Sequence, residues 1–227
     1  MIAQASNLVN TVNNTFYFIV GVSVFFLVII TFCMVYFVIR YSRKRNPKAT
    51  NIHGNVPLEI AWTVIPTLIA LVMFWYGWTD YKLESSPPAD TYNIGVTGQM
   101  WQWRFQYPNG LEMDSLYLPL NKDVKVSITS KDVNHSFFIP AFRVKKDAIP
   151  GRTNIAWFRP EKEGVYNFFC AEYCGMRHSY MITKAIVLPL NDFNSYINNR
   201  FAAMKTSQAN DSIKAAQHDT TKSTQHK

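Results

Sequence analysis

The stretch FYFIVGVSVFFLVIITFCMVYFVI, residues 16–39, carries no charged side chain over its 24 residues. A helix needs about 20 apolar residues to cross roughly 30 Å of hydrocarbon. The stretch is too long for the apolar region of a signal peptide, and no small-residue cleavage site follows it. A buried core helix is a poor alternative because the residues are apolar all round. We therefore predict a transmembrane helix over 16–39.

A second apolar stretch, VPLEIAWTVIPTLIALVMFWYGW at residues 56–78, predicts a second transmembrane helix and so a helical hairpin. Trp75, Tyr76 and Trp78 fit an aromatic belt at its outer end. Its one charge is Glu59, near its start. A carboxylate within a span is costly and usually functional. The alternative is that Glu59 lies within a turn of the cytoplasmic interface and reaches water.

The charge distribution orients this hairpin. The linking segment, residues 40–55, has five positive charges and no negative one, whereas residues 1–15 have no charged side chain. By the positive-inside rule the loop is cytoplasmic, so the N-terminus and everything after the second span lie on the outer face. Most of the net charge of +8 sits in this loop and the tail, since residues 84–200 contain 13 basic and 11 acidic residues. A nucleic-acid-binding protein would instead carry a basic stripe on one fold.

The outer part of the chain has the composition of short strands. Six segments show alternation or β-rich composition and are separated by Pro- and Gly-containing turns: 92–98, 100–107, 123–129, 153–158, 164–170 and 180–188. Several strands at this spacing predict a β-sandwich or barrel over 92–188, joined to the membrane by a linker at 79–91. Disorder throughout and a disulfide-dense scaffold are excluded, because the chain is 48% hydrophobic and has three cysteines.

The C-terminal region changes period. Apolar residues recur at steps of three and four, as on one face of a helix: Leu190, Phe193, Ile197, Phe201 and Met204. This pattern predicts a C-terminal helix over 189–206. From residue 207 the sequence is polar and rich in Ala, Ser, Thr, Gln and Lys, which predicts a disordered tail over 207–227.

The residues that carry chemistry are concentrated at 170–181, CAEYCGMRHSYM, with His135 upstream at or beside a strand. Thiolate, thioether and imidazole ligands together select copper among common metals, and two thiolates can bridge a pair of metals. The alternatives are a disulfide and a Cys2His2 zinc site. Met181 adds nothing to either alternative, and His135 adds nothing to a disulfide. Cys33, inside the first apolar stretch, is interpreted as a packing residue.

The motif Cys-Ala-Glu-Tyr-Cys-Gly-Met-Arg-His-Ser-Tyr-Met resembles the C-x-E-x-C-G-x-x-H-x-x-M signature of subunit II of cytochrome c oxidases, the CuA-bearing subunit of haem–copper oxidases. Four other stretches resemble this family in the right order: EIAWTVIP at 59–66, GQMWQW at 98–103, HSFFIP at 135–140 and KDAIPGR at 146–152. The resemblance covers roughly positions 15 to 205. It implies two transmembrane helices, then a cupredoxin-like all-β sandwich with a C-terminal helix.

The resemblance also implies roles for individual residues. Two coppers of a binuclear CuA centre would be ligated by His135, Cys170, Cys174, His178 and Met181 through side chains, and by Glu172 through its backbone carbonyl. The Glu172 carboxylate would reach a magnesium ion shared with the catalytic subunit. Trp101 would be the point at which the donor's electron enters, and Glu59 would stand at the mouth of a proton-uptake pathway. Asp132 and Asp147 match acidic positions, near the donor docking face and the subunit interface respectively.

The implied function is that of an electron-entry subunit of a terminal respiratory oxidase. It would accept electrons from a soluble or membrane-tethered cytochrome c and pass them to haem in subunit I, for reduction of oxygen to water coupled to proton translocation. Subunit III is a further expected partner, the haems belong to the partner only, and a bacterial plasma membrane with the β-domain in the periplasm is the expected location. Because Lys131 stands beside Asp132 and residues 84–200 carry a net charge of +2, a broadly acidic docking face is not evident.

Three other classes of protein remain as alternatives. A quinol-oxidase subunit has the same fold but lacks the copper ligands, all of which are present here. A membrane-anchored copper carrier would need neither Glu59 in a span nor Glu172 between the thiols. A nitrous-oxide-reductase-like domain fits poorly with two amino-terminal helices and a short chain.

Overall fold

The computed structural model describes residues 4–48, 50–51 and 53–224 of the 227, with side chains of the last helix described up to Gln208. The chain divides into two compact units. One comprises Asn10–Leu83, and the other comprises Met1–Val9 together with Glu84–Lys227. The expected sites all fall on described residues; of the expected tail, 225–227 lie outside them.

The first unit is made of two long helices, α1 (Leu8–Arg40) and α2 (Val56–Ser85). Both are longer than their apolar stretches, since α1 begins eight residues before position 16 and α2 continues seven residues beyond position 78. The Asn55 side chain caps α2 by accepting a hydrogen bond from the Leu58 N–H. Thr15 of α1 donates a hydrogen bond of 2.6 Å to the Asp80 carboxylate of α2, so the start of one helix lies beside the end of the other.

The surface of this helix pair is apolar. The most apolar 18-residue window of each helix has no buried residue, and large side chains such as Phe32, Leu27 and Phe74 are about two-thirds exposed. A soluble protein rarely exposes a contiguous apolar surface of this extent, whereas hydrocarbon solvates it. Both helices are long and apolar enough to cross a membrane.

The second unit is a sandwich of two five-stranded sheets. Its ten strands are β1 (Tyr92–Gln99), β2 (Gln102–Gln106), β3 (Glu112–Met113), β4 (Leu116–Pro119), β5 (Val124–Ser130), β6 (His135–Ile139), β7 (Val144–Ala148), β8 (Asn154–Phe158), β9 (Gly164–Cys170) and β10 (Ile182–Leu188). One sheet has the order β3-β2-β1-β5-β8 and the other β4-β10-β9-β6-β7. The pairs β1–β5 and β4–β10 are parallel and the others antiparallel.

The predicted architecture of two helices, a β-sandwich and a C-terminal helix is confirmed, although the strand list was incomplete. Four strands, β3, β4, β6 and β7, were not among the six predicted segments. β3 has only two residues, and β7 is an edge strand with two exposed lysines, Lys145 and Lys146, in its middle. Neither presents the alternation on which the prediction depended.

Alternating side chains of both sheets form the core. In β5 every second residue, from Val124 to Ser130, is buried, as expected for a strand with one face on the core. The centre is aromatic, with Phe168 of β9 packed edge-to-face against Trp103, Phe105 and Phe137 at ring-centroid distances of 4.8 to 5.4 Å. Rings in this arrangement fix one another's orientation. The core is therefore rigid directly beneath the end of β9.

The chain before α1 is attached to the sandwich. The Ala5 N–H bonds the Ala141 carbonyl, the Glu161 N–H bonds the Ala5 carbonyl, and the Ser6 hydroxyl bonds the Phe142 carbonyl. This segment is therefore part of the same compact unit as the sandwich.

The C-terminal helix α3 extends over Leu190–Thr224. Phe193 and Ile197 are buried against the sandwich, and Phe201 and Met204 are partly buried, as the apolar periodicity predicted, whereas Leu190 is exposed. The helix does not end near residue 206 but continues through the polar segment in which a disordered tail was expected. Ala, Lys and Gln are strong helix formers, so this composition favours a helix even where it offers no apolar face.

Candidate metal centre

The metal-ligating motif forms a closed loop between β9 and β10. Cys170 is the last residue of β9, and Met181 immediately precedes β10. The Cys170 N–H bonds the Met181 carbonyl at 3.2 Å and so closes the neck of the loop. Gly175 turns the chain with a φ of +110°, which L side chains rarely adopt, and a 3-10 turn at His178–Tyr180 brings the chain back.

His135 approaches this loop from the neighbouring strand β6. β6 pairs with β9 through Phe137 and Cys170, so the first residue of β6 lies beside the start of the loop. The imidazole is fully buried, and its Nδ1 lies 3.9 Å from the Cys170 Sγ. Gly98 makes room for it, because a Cβ at that position would lie 3.0 to 3.2 Å from the imidazole side chain.

Five side chains converge at this point. The Sγ atoms of Cys170 and Cys174 are 3.9 Å apart, and both cysteines are free. The Cys174 Sγ lies 3.5 Å from the His178 Nδ1 and 3.8 Å from the Met181 Sδ. The ligand atoms of His135, Cys170 and Cys174 all lie within 4.8 Å of one another. The structure thus brings together all five side chains that the sequence singled out.

This donor set fits a soft metal. A thiolate–metal bond is about 2.3 Å long for zinc, so two sulfurs that share one metal can be at most about 4.6 Å apart. The observed 3.9 Å is within that limit. Two sulfurs of cysteine, one thioether and two imidazoles are ligands that favour copper. A Cys2His2 zinc site would leave Met181 unused, yet its side chain is 1% exposed and its sulfur faces Cys174.

The protonation state of the Cys174 thiol bears on metal binding. Burial, followed by the proximity of Cys170, raises the pKa of Cys174 to about 12. Without a positive charge nearby this side chain therefore stays a neutral thiol at physiological pH. A bound metal favours the thiolate and releases the proton, so metal binding at this site is coupled to deprotonation.

Asp132 orients the buried imidazole. Its Oδ1 lies 2.8 Å from the His135 Nε2, and its carboxylate also accepts hydrogen bonds from the N–H groups of Met100 and Val133. Burial by itself raises the pKa of Asp132, but these hydrogen bonds outweigh it and place the pKa below its usual value. Because the carboxylate of Asp132 holds Nε2, the other ring nitrogen, Nδ1, is free to bind a metal beside the Cys170 sulfur.

The family resemblance implied another place for Asp132, near the donor docking face. Asp132 stands three residues before His135, and carboxylates commonly orient metal-ligating histidines. This spacing could have predicted that Asp132 orients the imidazole. Gly98 and Trp103 were also missed as parts of the site. The Trp103 ring contacts His135 edge-to-face at 6.0 Å and is 2% exposed, and its indole Nε1 has no hydrogen-bond partner in the described part of the chain.

Trp101 lies directly on the ligand loop. Its indole Nε1 donates a hydrogen bond of 3.1 Å to the Cys174 carbonyl. Its ring lies over Gly175, where a Cβ would be 3.5 Å from the indole Cζ2. The ring is partly exposed. Trp101 therefore joins the protein surface to the backbone of a candidate ligand through one hydrogen bond.

The remaining predicted residues occupy different places. The Glu172 carbonyl oxygen lies 3.3 Å from the Cys170 Sγ, whereas the residue as a whole is exposed. Asp147 accepts hydrogen bonds from Lys145 and from Ser136, which lower the pKa of its carboxyl, and it does not contact the cluster through any bond in the described structure. Glu59 lies in the other unit, in the exposed first turn of α2.

Comparisons with known proteins identify the family. Residues 2–77 match the family model described as the transmembrane domain of cytochrome c oxidase subunit II, and residues 108–188 match the one described as its periplasmic domain. The chain is 30% identical over 211 residues to a probable cytochrome c oxidase subunit 2 of Rickettsia bellii, covering 82% of this chain and 78% of that protein. It is 33% identical over 202 residues to cytochrome c oxidase subunit 2 of Cereibacter sphaeroides, covering 70% of this chain and 66% of that one.

A solved structure of the periplasmic domain of subunit II of cytochrome oxidase from Bradyrhizobium japonicum is 33% identical to this chain, with a TM-score of 0.49. It covers 51% of this chain, and this chain covers 96% of it. The match to the Rickettsia protein over most of both chains is sufficient by itself: the chain belongs to the cytochrome c oxidase subunit II family.

Family membership confirms several predictions made from the sequence. The resemblance itself is confirmed, as is the assignment to a subunit of a terminal oxidase complex. The protein is a membrane protein with a periplasmic domain, in agreement with the orientation derived from its charges. The His–Cys cluster is consistent with a copper site.

Proposed function

We propose that this chain, as a subunit II of cytochrome c oxidase, is the electron-entry subunit of a terminal respiratory oxidase. It accepts electrons from a cytochrome c and passes them to haem in a catalytic subunit I, which reduces oxygen to water with proton translocation. The observation that carries this proposal is the buried pair of free cysteine sulfurs, 3.9 Å apart, beneath a partly exposed tryptophan that bonds to the backbone of one of them.

The ligands of the proposed centre are the residues assembled in the loop. Two coppers are held by His135, Cys170, Cys174, His178 and Met181 through side chains and by Glu172 through its backbone carbonyl. When bound, such a copper pair takes up and releases one electron at a time. The protein's contribution is a fixed ligand geometry, since four of the five side chains are buried or tied to a rigid strand end.

Fixed ligands matter because an electron-transfer site works best when its geometry changes little with oxidation state. Asp132 holds His135 by its Nε2, and the Cys170–Met181 backbone hydrogen bond holds the two ends of the loop together. The aromatic core beneath β9 prevents the strand end from shifting. These contacts are made by the polypeptide, so the ligand positions do not depend on the metal alone.

Trp101 is the proposed point at which electrons enter. Its ring reaches the surface, and its Nε1 hydrogen bond to the Cys174 carbonyl gives a short covalent and hydrogen-bonded route to a ligand sulfur. A side chain with this role needs an extended π system at the surface and a bond to the ligand loop. Trp101 meets both requirements.

Glu172 serves two ions in this proposal. Its carbonyl is directed at the Cys170 sulfur, whereas the residue itself is exposed. The carboxylate is therefore available to a magnesium ion shared with subunit I, because hard cations prefer carboxylate oxygen. The backbone of this single residue would then lie between the copper pair and the partner subunit.

Glu59 is the proposed collector of protons. It lies in the first turn of α2, directly after the basic loop that we assign to the cytoplasmic side. An exposed carboxylate at that position can exchange protons with bulk water and deliver them to a pathway in subunit I. We place the complex, with subunit III as a further partner, in a bacterial plasma membrane.

Metal analysis with electron paramagnetic resonance tests the proposal. The full-length chain, purified in detergent and loaded with copper, should hold two coppers, with an unpaired spin shared by both nuclei. A single copper, or a spin confined to one nucleus, would instead fit a mononuclear site or a copper carrier. Cystine or zinc at Cys170 and Cys174 in freshly isolated native protein would reject the assignment.

A further inference from the structure

We propose that Trp103 is a positioning residue for His135. Its indole ring, together with the backbone of Gly98, fixes the plane of the buried imidazole and so the direction in which Nδ1 can bind a metal. The inference rests on the proposed function, in which His135 is a copper ligand, and it assigns a role to a residue that itself binds no metal.

The hydrogen bond at one end of the imidazole leaves the plane of the ring undetermined. The Asp132 Oδ1 lies 2.8 Å from the His135 Nε2, which fixes the position of that nitrogen. The ring can still tilt about this point. Because the lone pair of Nδ1 lies in the ring plane, the tilt decides where a metal can bind. Contacts on the faces and edges of the ring must therefore set its plane.

Two neighbours from the opposite sheet supply these contacts. The ring centroids of Trp103 and His135 are 6.0 Å apart, with 66° between the ring planes, which is the edge-to-face arrangement that aromatic rings favour. A Cβ on Gly98 would lie 3.0 to 3.2 Å from the His135 side chain, so the backbone of Gly98 lies against the imidazole. Gly98 of β1 pairs with Trp103 of β2, and cross-strand partners face the same side of a sheet. Together they form one wall around the imidazole.

The indole of Trp103 is itself held in place. Its side chain is 2% exposed, and it packs edge-to-face against Phe168 at a centroid distance of 5.1 Å. Phe168 lies two residues before Cys170 in β9. The indole therefore lies between two side chains of the other sheet, of which one is a candidate ligand. In a close-packed interior, a tilt of the imidazole would have to displace this ring.

The ring of Trp103, and not its nitrogen, makes these contacts. Its Nε1 is buried and has no hydrogen-bond partner among the residues that the structure describes. A buried donor without a partner typically lowers the folding equilibrium constant by roughly tenfold or more. Departures of this kind from good packing chemistry are concentrated at functional sites. Trp101 differs, because its Nε1 donates a hydrogen bond to the Cys174 carbonyl.

The first experiment separates copper affinity from stability in the full-length chain, purified in detergent. Trp103→Phe removes the buried donor but leaves a void beside the imidazole, so its two effects on folding oppose each other. The folding equilibrium constant of the metal-free protein should therefore change by less than about tenfold. Copper affinity, measured by competition with a chelator at fixed pH, should fall about 10- to 100-fold, as it does for other partners that orient a metal ligand.

Phe105→Leu is the matched control. Phe105 lies two residues further along β2, is fully buried and packs against Phe168 at 5.4 Å, and no ring contact joins it to His135 in the described part of the chain. This variant should lower the folding equilibrium constant by up to about tenfold and leave copper affinity unchanged. Equal losses of copper affinity in the two variants, or no loss in Trp103→Phe, would overturn the proposal.

The second experiment asks which part of the indole acts. Trp103→benzothienylalanine replaces the ring N–H by sulfur and keeps the size and shape of the side chain. It should retain the copper affinity of the unmodified protein and raise the folding equilibrium constant by roughly tenfold, because no donor is left unpaired. A loss of copper affinity equal to that in Trp103→Phe would assign the effect to the nitrogen and refute the role of the ring.

Spectroscopy of the copper-loaded protein tests the link to His135 directly. In Trp103→Phe, electron–nuclear double resonance should show a change in one of two imidazole nitrogen couplings, because Trp103 contacts the His135 ring and no ring contact joins it to His178 among the described residues. A change in neither coupling, or in both, contradicts the proposal.

The state of the unmodified protein separates this inference from the function on which it rests. If that protein binds a copper pair and Trp103→Phe binds copper equally tightly, the positioning role fails and the proposed function stands. If the unmodified protein binds no copper pair, both fail.

Discussion

The helix pair and the sandwich use the same apolar residue types in opposite orientations. Phe32 of α1 is 68% exposed, whereas Phe168 of β9 is fully buried. In the sandwich, apolar side chains leave water by packing against one another, and the polar backbone is paired within two sheets. In the helices, the backbone bonds are satisfied within each helix, which leaves the side chains for hydrocarbon. The burial of an apolar side chain within the protein therefore indicates its contribution to stability in the sandwich. It does not do so in the helix pair, whose apolar side chains are solvated by hydrocarbon.

The comparison extends to cysteines, aromatic residues and carboxylates, because both regions contain residues of all three types. Chemistry depends on side chains held at fixed distances, and the metal-ligand cluster of the sandwich provides such distances. The following paired substitutions ask whether equivalent residues in the two regions differ as this reasoning expects. They run from the largest expected effect to the smallest.

The cysteine pair should show the largest difference. Cys174→Ser removes a sulfur that lies within 3.9 Å of three other ligand atoms, so the variant should lose most of its copper and nearly all electron transfer. Cys33→Ser, in the apolar part of α1, should retain both. Copper per chain, measured after removal of free metal, checks this expectation. Equal copper content in the two variants would mean that the sulfur pair is not the site.

The phenylalanine pair tests the packing of the two regions. Phe168→Ala should lower the free energy of unfolding of the sandwich by about 3–5 kcal/mol, because it leaves a cavity among three aromatic neighbours. Phe32→Ala should cost less than about 1 kcal/mol. Denaturant unfolding of the full-length chain in detergent, followed by near-ultraviolet circular dichroism, gives both values. A small effect at Phe168 would show that the core beneath the metal loop is not rigid.

The tryptophan pair tests the route of electron entry. Trp101→Phe removes the hydrogen bond to the Cys174 carbonyl and should slow copper reduction by a cytochrome at least about tenfold, which corresponds to about 1.4 kcal/mol in the barrier. The copper spectrum should remain nearly intact. Trp75→Phe, on the exposed surface of α2, is the control. Stopped-flow reduction measures the rate, and an unchanged rate in Trp101→Phe would remove that residue from the route.

Asp132→Asn tests the orientation of His135. An amide keeps the size of the side chain but can no longer hold the Nε2–H with a negative charge, and loss of such a partner typically weakens metal binding about 10- to 100-fold. Competition with a copper chelator at fixed pH measures the affinity. If copper affinity is unchanged while donor binding weakens, Asp132 belongs to the docking face instead, as the family resemblance implied.

The smallest effect is expected for the carboxylate of the helix pair. Glu59→Gln should slow proton uptake by several-fold without changing copper content or donor binding, because water at the exposed end of α2 can still supply protons. Turnover coupled to a pH indicator in reconstituted vesicles measures proton uptake. Turnover equal to that of the unmodified protein would assign Glu59 to the interface as an ordinary solvated side chain.

Much of the candidate site could be predicted because its ligands are local in sequence. Cys170, Cys174, His178 and Met181 lie within twelve residues, and a loop of that length forces them near one another whatever the surrounding fold. His135 was a candidate because of its imidazole and its place at or beside a strand, although 35 residues separate it from Cys170. The pairing of β6 with β9 is what brings it there.

Contacts between distant loops could not be predicted from the local pattern. Gly98 approaches the His135 ring, and Met100 bonds Asp132, through the meeting of the β1–β2 turn with the β5–β6 loop. The short strand β3 and the lysine-bearing edge strand β7 were missed for a related reason. Their place in a sheet depends on their neighbours, and their own alternation of side chains is too weak to show it.

The sequence by itself determined that two apolar helices precede a β-rich outer domain and that soft metal ligands cluster at 170–181. Apolar length, the sign of the loop charges and ligand type are properties of consecutive residues, so they can be read without a fold. Only the tertiary structure decided that Asp132 orients His135 and that Trp101 bonds the ligand loop. Both contacts join loops that are distant in sequence. The packing of the whole sandwich brings those loops to the same end of the domain.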